Sequence, residues 1–239
     1  MHIAILVTNT DESRFAQSHP RDGEKFTALL RPLRPDWQFS SFSVKDGVFP
    51  DTFAGIDGVI ITGSPASVHD PDPWVARLLS LIPQIVAEGI SLFGACFGHQ
   101  AIALALGGTV QRNPDGWVLG TVATDMQGLG LVNFYAAHLE QVTALPPNAQ
   151  VTGATPGCTI AAMQIGPRVL TTQYHPEMTH DFITALVDEL DGKLPDVVIA
   201  QARASLAQRA DATPISAYIA AFFDAAHHAR AASKSIAVT

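Results

Sequence analysis

Cysteine is scarce in this chain: only Cys96 and Cys158 occur among 239 residues. Cys96 is a candidate nucleophile on the grounds given below, so no pair remains for a structural disulfide, and a reducing, cytoplasmic setting is expected. Basic residues are also few. There are 14 Lys and Arg against 22 Asp and Glu, and nowhere do the cations cluster. The formal charge of −8 argues against a nucleic-acid face or an anionic-membrane patch. No apolar run approaches the ~20 residues that span a bilayer. No G-x-x-x-x-G-K-[ST] loop occurs, so no nucleotide site of that type is expected. The nine histidines are scattered or, like His227-His228, adjacent and so divergent on a helix. No Cys/His/Asp spacing fits a metal site, and neither metal nor cofactor is expected. Internal repeats and low-complexity linkers are lacking too.

What is abundant is apolar residues, 47% of the chain, enough to cover a sheet on both faces. Met1-His2-Ile3-Ala4-Ile5-Leu6-Val7 is apolar at once, without a basic n-region, and reads as a first strand rather than a signal peptide. Phe26, Leu29, Leu30 and Leu33 recur at helical spacing over Glu24–Leu33. Trp37 to Val44 and Asp57 to Thr62 read as strands. Asp72-Pro73 supplies an N-cap and a first-turn proline for a helix closed by Gly89. Ile90–Ala95 is another strand, followed by a helix to Leu106. This alternation predicts an α/β fold: a doubly wound, flavodoxin-like, mostly parallel sheet with flanking helices. Residues 109 to 174, rich in Gly, Thr, Val and Pro, read as a small antiparallel section that rejoins the sheet through Val169–Tyr174. Helices are expected at Asp181–Leu190, Pro195–Ala210 and Pro214–Ser233.

The chemistry concentrates in three short segments. Gly94-Ala95-Cys96-Phe97-Gly98 is a G-x-C-x-G turn between a strand and a helix, the cysteine form of a nucleophile elbow. Flanking glycines let a strained backbone pass, and the helix N-terminus favours thiolate. The same pattern also fits a buried cysteine in a tight turn. Gln173-Tyr174-His175-Pro176-Glu177 places an imidazole and a carboxylate on one rigid corner, as a base and its orienting group require. Taken alone, it also fits a surface turn. Val59-Ile60-Ile61-Thr62-Gly63-Ser64-Pro65 is a strand running into a glycine-containing loop.

Together these segments resemble the class I, triad-type glutamine amidotransferases, most closely the glutaminase domain of GMP synthetases and its free-standing relatives. The resemblance covers residues 1–190, expected as the amidotransferase domain, with 191–239 a helical C-terminal extension packed on it. It implies a Cys96–His175–Glu177 triad that cleaves a glutamine side-chain amide through a γ-glutamyl thioester. It also implies an oxyanion hole made by the Phe97 amide and by the Gly63-Ser64-Pro65 loop, through the Ser64 amide. Gln100, one helical turn after Cys96, would bind substrate or else face solvent. His138 would line the pocket or serve structurally. Many relatives carry glycine at the Ser64 position, aspartate at Glu140 and glutamate at Val118, so the chain departs from them at those points. The implied function is glutamine hydrolysis with ammonia passed to a separate partner synthetase. The alternatives are a γ-glutamyl peptidase acting on γ-glutamyl conjugates, and a non-catalytic regulatory relative.

Overall fold

The computed structural model describes residues 1–236, with side chains through residue 229. The chain begins with β1 (His2–Val7), the short α1 (Arg14–Gln17), α2 (Asp22–Leu30) and β2 (Gln38–Ser43). Then come β3 (Gly58–Ile61), α3 (Pro73–Ala87), β4 (Ser91–Ala95) and α4 (Phe97–Ala105). Strands follow in succession: β5 (Thr109–Arg112), β6 (Val118–Met126), β7 (Gly130–His138), β8 (Glu140–Ala144), β9 (Ala149–Thr155), β10 (Cys158–Ile165) and β11 (Val169–Thr172). Helices α5 (His180–Glu189), α6 (Asp196–Ser205) and α7 (Ala212–Ile236) complete the described chain.

Nine strands form one sheet in the order β2-β1-β3-β4-β11-β10-β9-β6-β7. The first five are mutually parallel, in flavodoxin-like order. The antiparallel section expected for residues 109–174 is present as β10, β9, β6 and β7, which extend the same sheet, plus a separate β5–β8 pair.

The inner parallel strands β1, β3 and β4 are buried and almost wholly apolar because both of their faces are covered, whereas the edge strand β2, Gln38–Ser43, is largely polar and only partly buried. On β1, Ile3 and Ile5 join a cluster with Phe26 and Leu30 of α2 and Ile215, Ile219 and Phe223 of α7. Ala4 and Leu6, pointing the other way, join Val75, Leu78 and Ile82 of α3 and Ile102 of α4. A third cluster seats Ile183 and Val187 of α5 and Ile199 of α6 on Leu119 and Tyr135. Helix α7 therefore supplies a layer of the central sheet. Asp72 precedes Pro73 at the α3 start, as expected, but its side chain makes no capping hydrogen bond.

The antiparallel half curls back toward the parallel half. The His175 amide donates to the Tyr135 carbonyl at 2.8 Å, so the last strand of the sheet meets the chain leaving β11. This contact, with the Gln173 amide bonded to Ala161 at 2.7 Å, fixes the course of residues 173–175. No described helix is long and apolar enough to cross a membrane.

Phe223 tests the α7 layer. Its ring is fully buried, edge-on to Trp37 at 6.0 Å, and a Cβ built on Gly58 would meet it at 2.6 Å. Phe223→Ala should cost about 3–5 kcal/mol in chemical unfolding, the range for emptying a packed aromatic site. A loss below about 1 kcal/mol would mean that α7 is only loosely attached.

Candidate active site

The turn after β4 is sterically committed. Cys96 has φ 50° and ψ −105°, and among the described residues only Asn148 shares a positive φ without being glycine. Such a conformation costs of order 1–3 kcal/mol and persists only where the surroundings impose it. Here both neighbouring glycines are required by close approach. A Cβ on Gly94 would lie 2.6 Å from the Gly98 backbone, and one on Gly98 would lie 2.3 Å from the Ile61 carbonyl oxygen. The Cys96 amide donates to Thr172 at 2.9 Å, and its carbonyl accepts from Gln100 at 3.0 Å to begin α4. The turn is thus tied to β3, β11 and its own helix.

His175 and Glu177 meet this turn from the end of β11. Nδ1 of His175 lies 2.8 Å from Glu177 Oε1, and both side chains are buried. Among the described residues, His175 Nε2 has no partner. The loop after β3 closes the arrangement: a Cβ on Gly63 would stand 2.7 Å from His175 Cε1 and 3.6 Å from Cys96 Cβ. Burial pulls the His175 pKa down, but the Glu177 carboxylate and Cys96 outweigh it, and the imidazole titrates well above its ordinary range. The other two buried histidines behave oppositely. Burial drives His138 down to about 4, with His175 adding to the effect, and it drives His99 down to about 3. Both are uncharged at neutral pH, so His175 is the one of the three suited to holding a proton there.

The Gly63-Ser64-Pro65 loop is held by a buried threonine pair that the sequence reading missed. Thr8 Oγ1 donates to the Gly63 carbonyl at 3.0 Å, and the Thr8 amide donates to Thr62 Oγ1 at 3.0 Å. Thr8 directly follows β1 and Thr62 directly follows β3, so the buckle sits where the strand order reverses. Open sheets of this kind bind ligands at that point. Among the described residues, neither the Ser64 nor the Phe97 amide has an intramolecular acceptor, as donors reserved for a ligand require. The Ser64 hydroxyl accepts the Ala66 amide at 3.1 Å and shapes the loop. Ser67 Oγ donates to Glu140 Oε2 at 2.8 Å, fixing the far end of the loop to β8. That link gives Glu140 a structural use.

Two further candidates, Gln100 and His138, make hydrogen bonds in the interior. Gln100 is buried, and its Nε2 donates to the Glu140 carbonyl at 2.7 Å and to Gln173 Oε1 at 3.3 Å. Both of its Nε2 donors are engaged in the interior. Gln173 Nε2 in turn lies 3.8 Å from Cys96 Sγ, a contact no spacing argument revealed. His138 bonds the Glu140 carbonyl through Nδ1 at 3.1 Å and packs 5.8 Å from Tyr174, which is the structural alternative. Gln100, His138, Cys96 and Phe97 are all absent from the lining of the cavity that His175 and Glu177 border. That cavity, of about 230 Å³, is bounded by Gly63, Ser64, Pro65, Trp117, Ala137, His175 and Glu177, and it continues to Asn9, Phe15, Lys25 and Phe182. Among the described residues, no group of His, Cys, Asp and Glu side chains could hold a metal ion.

Comparison with known proteins gives the family and the fold. The glutamine amidotransferase class-I family model matches residues 38–184. A solved glutamine amidotransferase from Thermotoga maritima superposes with a TM-score of 0.72, covering 95% of this chain and 97% of that one at 16% identity, a likeness of fold. The chain belongs to the class-I glutamine amidotransferase family. Gamma-glutamyl peptidase 4 of Arabidopsis thaliana is 27% identical over 202 residues, 78% of this chain and 80% of that protein. The glutamine-hydrolysing GMP synthase of Aromatoleum aromaticum is 32% identical over 181 residues, which is 63% of this chain but only 34% of that enzyme.

Two outcomes follow from the site. Burial raises the Cys158 thiol to about 11, while Cys96 sits beside His175. Iodoacetamide at pH 7.5 should therefore label Cys96 at least about tenfold faster than Cys158 in the folded protein. Equal rates by peptide mapping would contradict this picture. In single-turnover assays His175→Asn should slow acylation far more than His138→Asn, by about 10²–10⁴-fold. A larger loss in the His138 variant would reverse the assignment.

Proposed function

We propose that this protein cleaves the γ-glutamyl C–N bond of an amide through a thioester on Cys96. Glu177 accepts a hydrogen bond from His175 Nδ1–H and stabilises the imidazolium, so that Nε2 takes and holds the thiol proton. Sγ attacks the carbonyl carbon as thiolate. The oxygen becomes an oxyanion between the Phe97 and Ser64 amides. His175 returns the proton to the departing nitrogen, and water then releases glutamate. The observation that carries this reading is the convergence of three features: the strained Cys96, the His175–Glu177 pair, and the Gly63 loop, where a Cβ would stand 2.7 Å from His175 Cε1 and 3.6 Å from Cys96 Cβ.

Glutamine is the first substrate to consider, given the family. The ammonia released would then pass to a separate synthetase, GMP-synthetase-like in the first instance. One observation favours a second reading, that of a γ-glutamyl peptidase. The cavity runs past His175 to residues 9–25, farther than ammonia needs.

The test is turnover by the purified protein on glutamine, with and without a candidate synthetase, and on a panel of γ-glutamyl amides. Release of glutamate is expected from at least one of them, and Cys96→Ala should lower it by about 10⁴-fold or more with the fold intact. A Cys96→Ala rate within tenfold of the unaltered protein would overturn the thioester. Stimulation by a synthetase would favour the ammonia-donor reading. A fast, partner-independent rate on γ-glutamyl amides would favour the peptidase reading.

A further inference from the structure

The cavity that holds His175 also holds a buried ion pair that the reaction above does not use. Lys25, near the start of α2, has a side chain only 9% exposed. Its Nζ is 2.9 Å from Asp22 Oδ1 and 3.5 Å from the centroid of the Phe182 ring. The other Asp22 oxygen accepts from Asn9 Nδ2 at 2.9 Å. Both carboxylate oxygens are therefore engaged. Lysine has three N–H donors, and among the described residues one of them is bonded to a protein acceptor. The unspent hydrogen-bonding capacity here is donor capacity, on a cation sheltered from solvent. An anionic acceptor would meet it best. The surrounding wall combines the Phe15 and Phe182 rings, 5.6 Å apart, with the side chains of Glu12, Arg21 and Lys45, of which Lys45 is paired with Glu12.

The chemistry decides which part of a substrate would lie there. The imidazole that protonates the departing nitrogen must face that nitrogen. The portion of the cavity beyond His175 therefore receives what the nitrogen carries. Glutamine carries only hydrogen there.

We propose that Lys25, held by Asp22 and Asn9, anchors a carboxylate on the leaving amine. The preferred substrate class is then a γ-glutamyl amino acid with a free carboxylate and an apolar side chain. This rests on the hydrolase reading of Cys96, His175 and Glu177. The reaction balances with one water. The Sγ–C bond forms as the C–N bond breaks, and the leaving nitrogen takes from His175 the proton that came from the thiol. Water then splits the thioester, giving glutamate, a free amino acid and the restored thiol.

The experiment compares kcat/KM of the full chain on γ-glutamyl-phenylalanine, on its C-terminal carboxamide and on glutamine. The free acid should exceed both others by about tenfold or more, the usual worth of a charge-assisted hydrogen bond. Lys25→Met, which keeps the apolar stem, should bring the acid-to-carboxamide ratio close to one, and Lys25→Arg should retain part of it. Equal kcat/KM for acid and carboxamide in the unaltered protein would overturn the subsite and leave the hydrolase reading standing, with Asp22–Lys25 a purely structural pair. A ratio that survives Lys25→Met would overturn it too. Should Lys25→Met fail to fold, the unaltered protein and Lys25→Arg still decide. Turnover that persists in Cys96→Ala, or no cleavage of any of the three substrates, would bring down the hydrolase reading and the subsite with it.

Discussion

The contact between Gly94 and Gly98 is the constraint on which the site depends. A side chain at either position would collide with backbone, at Gly98 itself or at Ile61 of the neighbouring strand. Only with both positions bare can the chain turn from β4 into α4 within one residue, and that residue is Cys96 at positive φ. The strain is held by hydrogen bonds on both sides, to Thr172 and to the first turn of α4. Packing the sheet thus forces the thiol into a conformation it would not adopt alone. The stability of the parallel core and the aim of Cys96 are one problem.

The second dependence is electrostatic. His175 is buried, and burial alone would drive it neutral, as happens to His138 and His99. Glu177 reverses the outcome because it is buried beside the ring, where water screens little. The curl of the sheet makes this possible. The His175 backbone amide is fixed by β7, an antiparallel strand distant in sheet order from β11. The antiparallel half is therefore part of what orients the imidazole. The separate β5–β8 pair supplies Glu140, which reaches Ser67 through its carboxylate, and Gln100 and His138 through its carbonyl.

Much of this was legible in the sequence where the physics is local. The elbow, the His-Pro-Glu corner and the loop after β3 are contiguous segments, and each needs particular residues at fixed offsets. Strand–helix alternation likewise announced the parallel sheet. What escaped was the product of folding at a distance. Thr8 lies at the end of an apolar strand with no neighbouring motif, yet it secures the Gly63 carbonyl. Gln173 showed only as part of a motif, and its proximity to Cys96 appears only when β11 lies beside β4. The interior bonds of Gln100 likewise appear only in the folded chain. One turn along α4 from Cys96, the helix face has already rotated into the interior, where Glu140 and Gln173 absorb the amide. Lys25 and Asp22 gave no signal because an i,i+3 pair at a helix start ordinarily lies in solvent, whereas this one is buried in the cavity wall.

The central claim is that the strained Cys96 becomes acylated during turnover. Rapid acid quench of the protein with a cleaved γ-glutamyl substrate, followed by peptide mass mapping, tests it directly. The account predicts a γ-glutamyl adduct on the peptide carrying Cys96 and none on that carrying Cys158, accumulating before steady state at a rate that His175→Asn slows. Steady turnover in Cys96→Ala, or an adduct found on Cys158 instead, would contradict it.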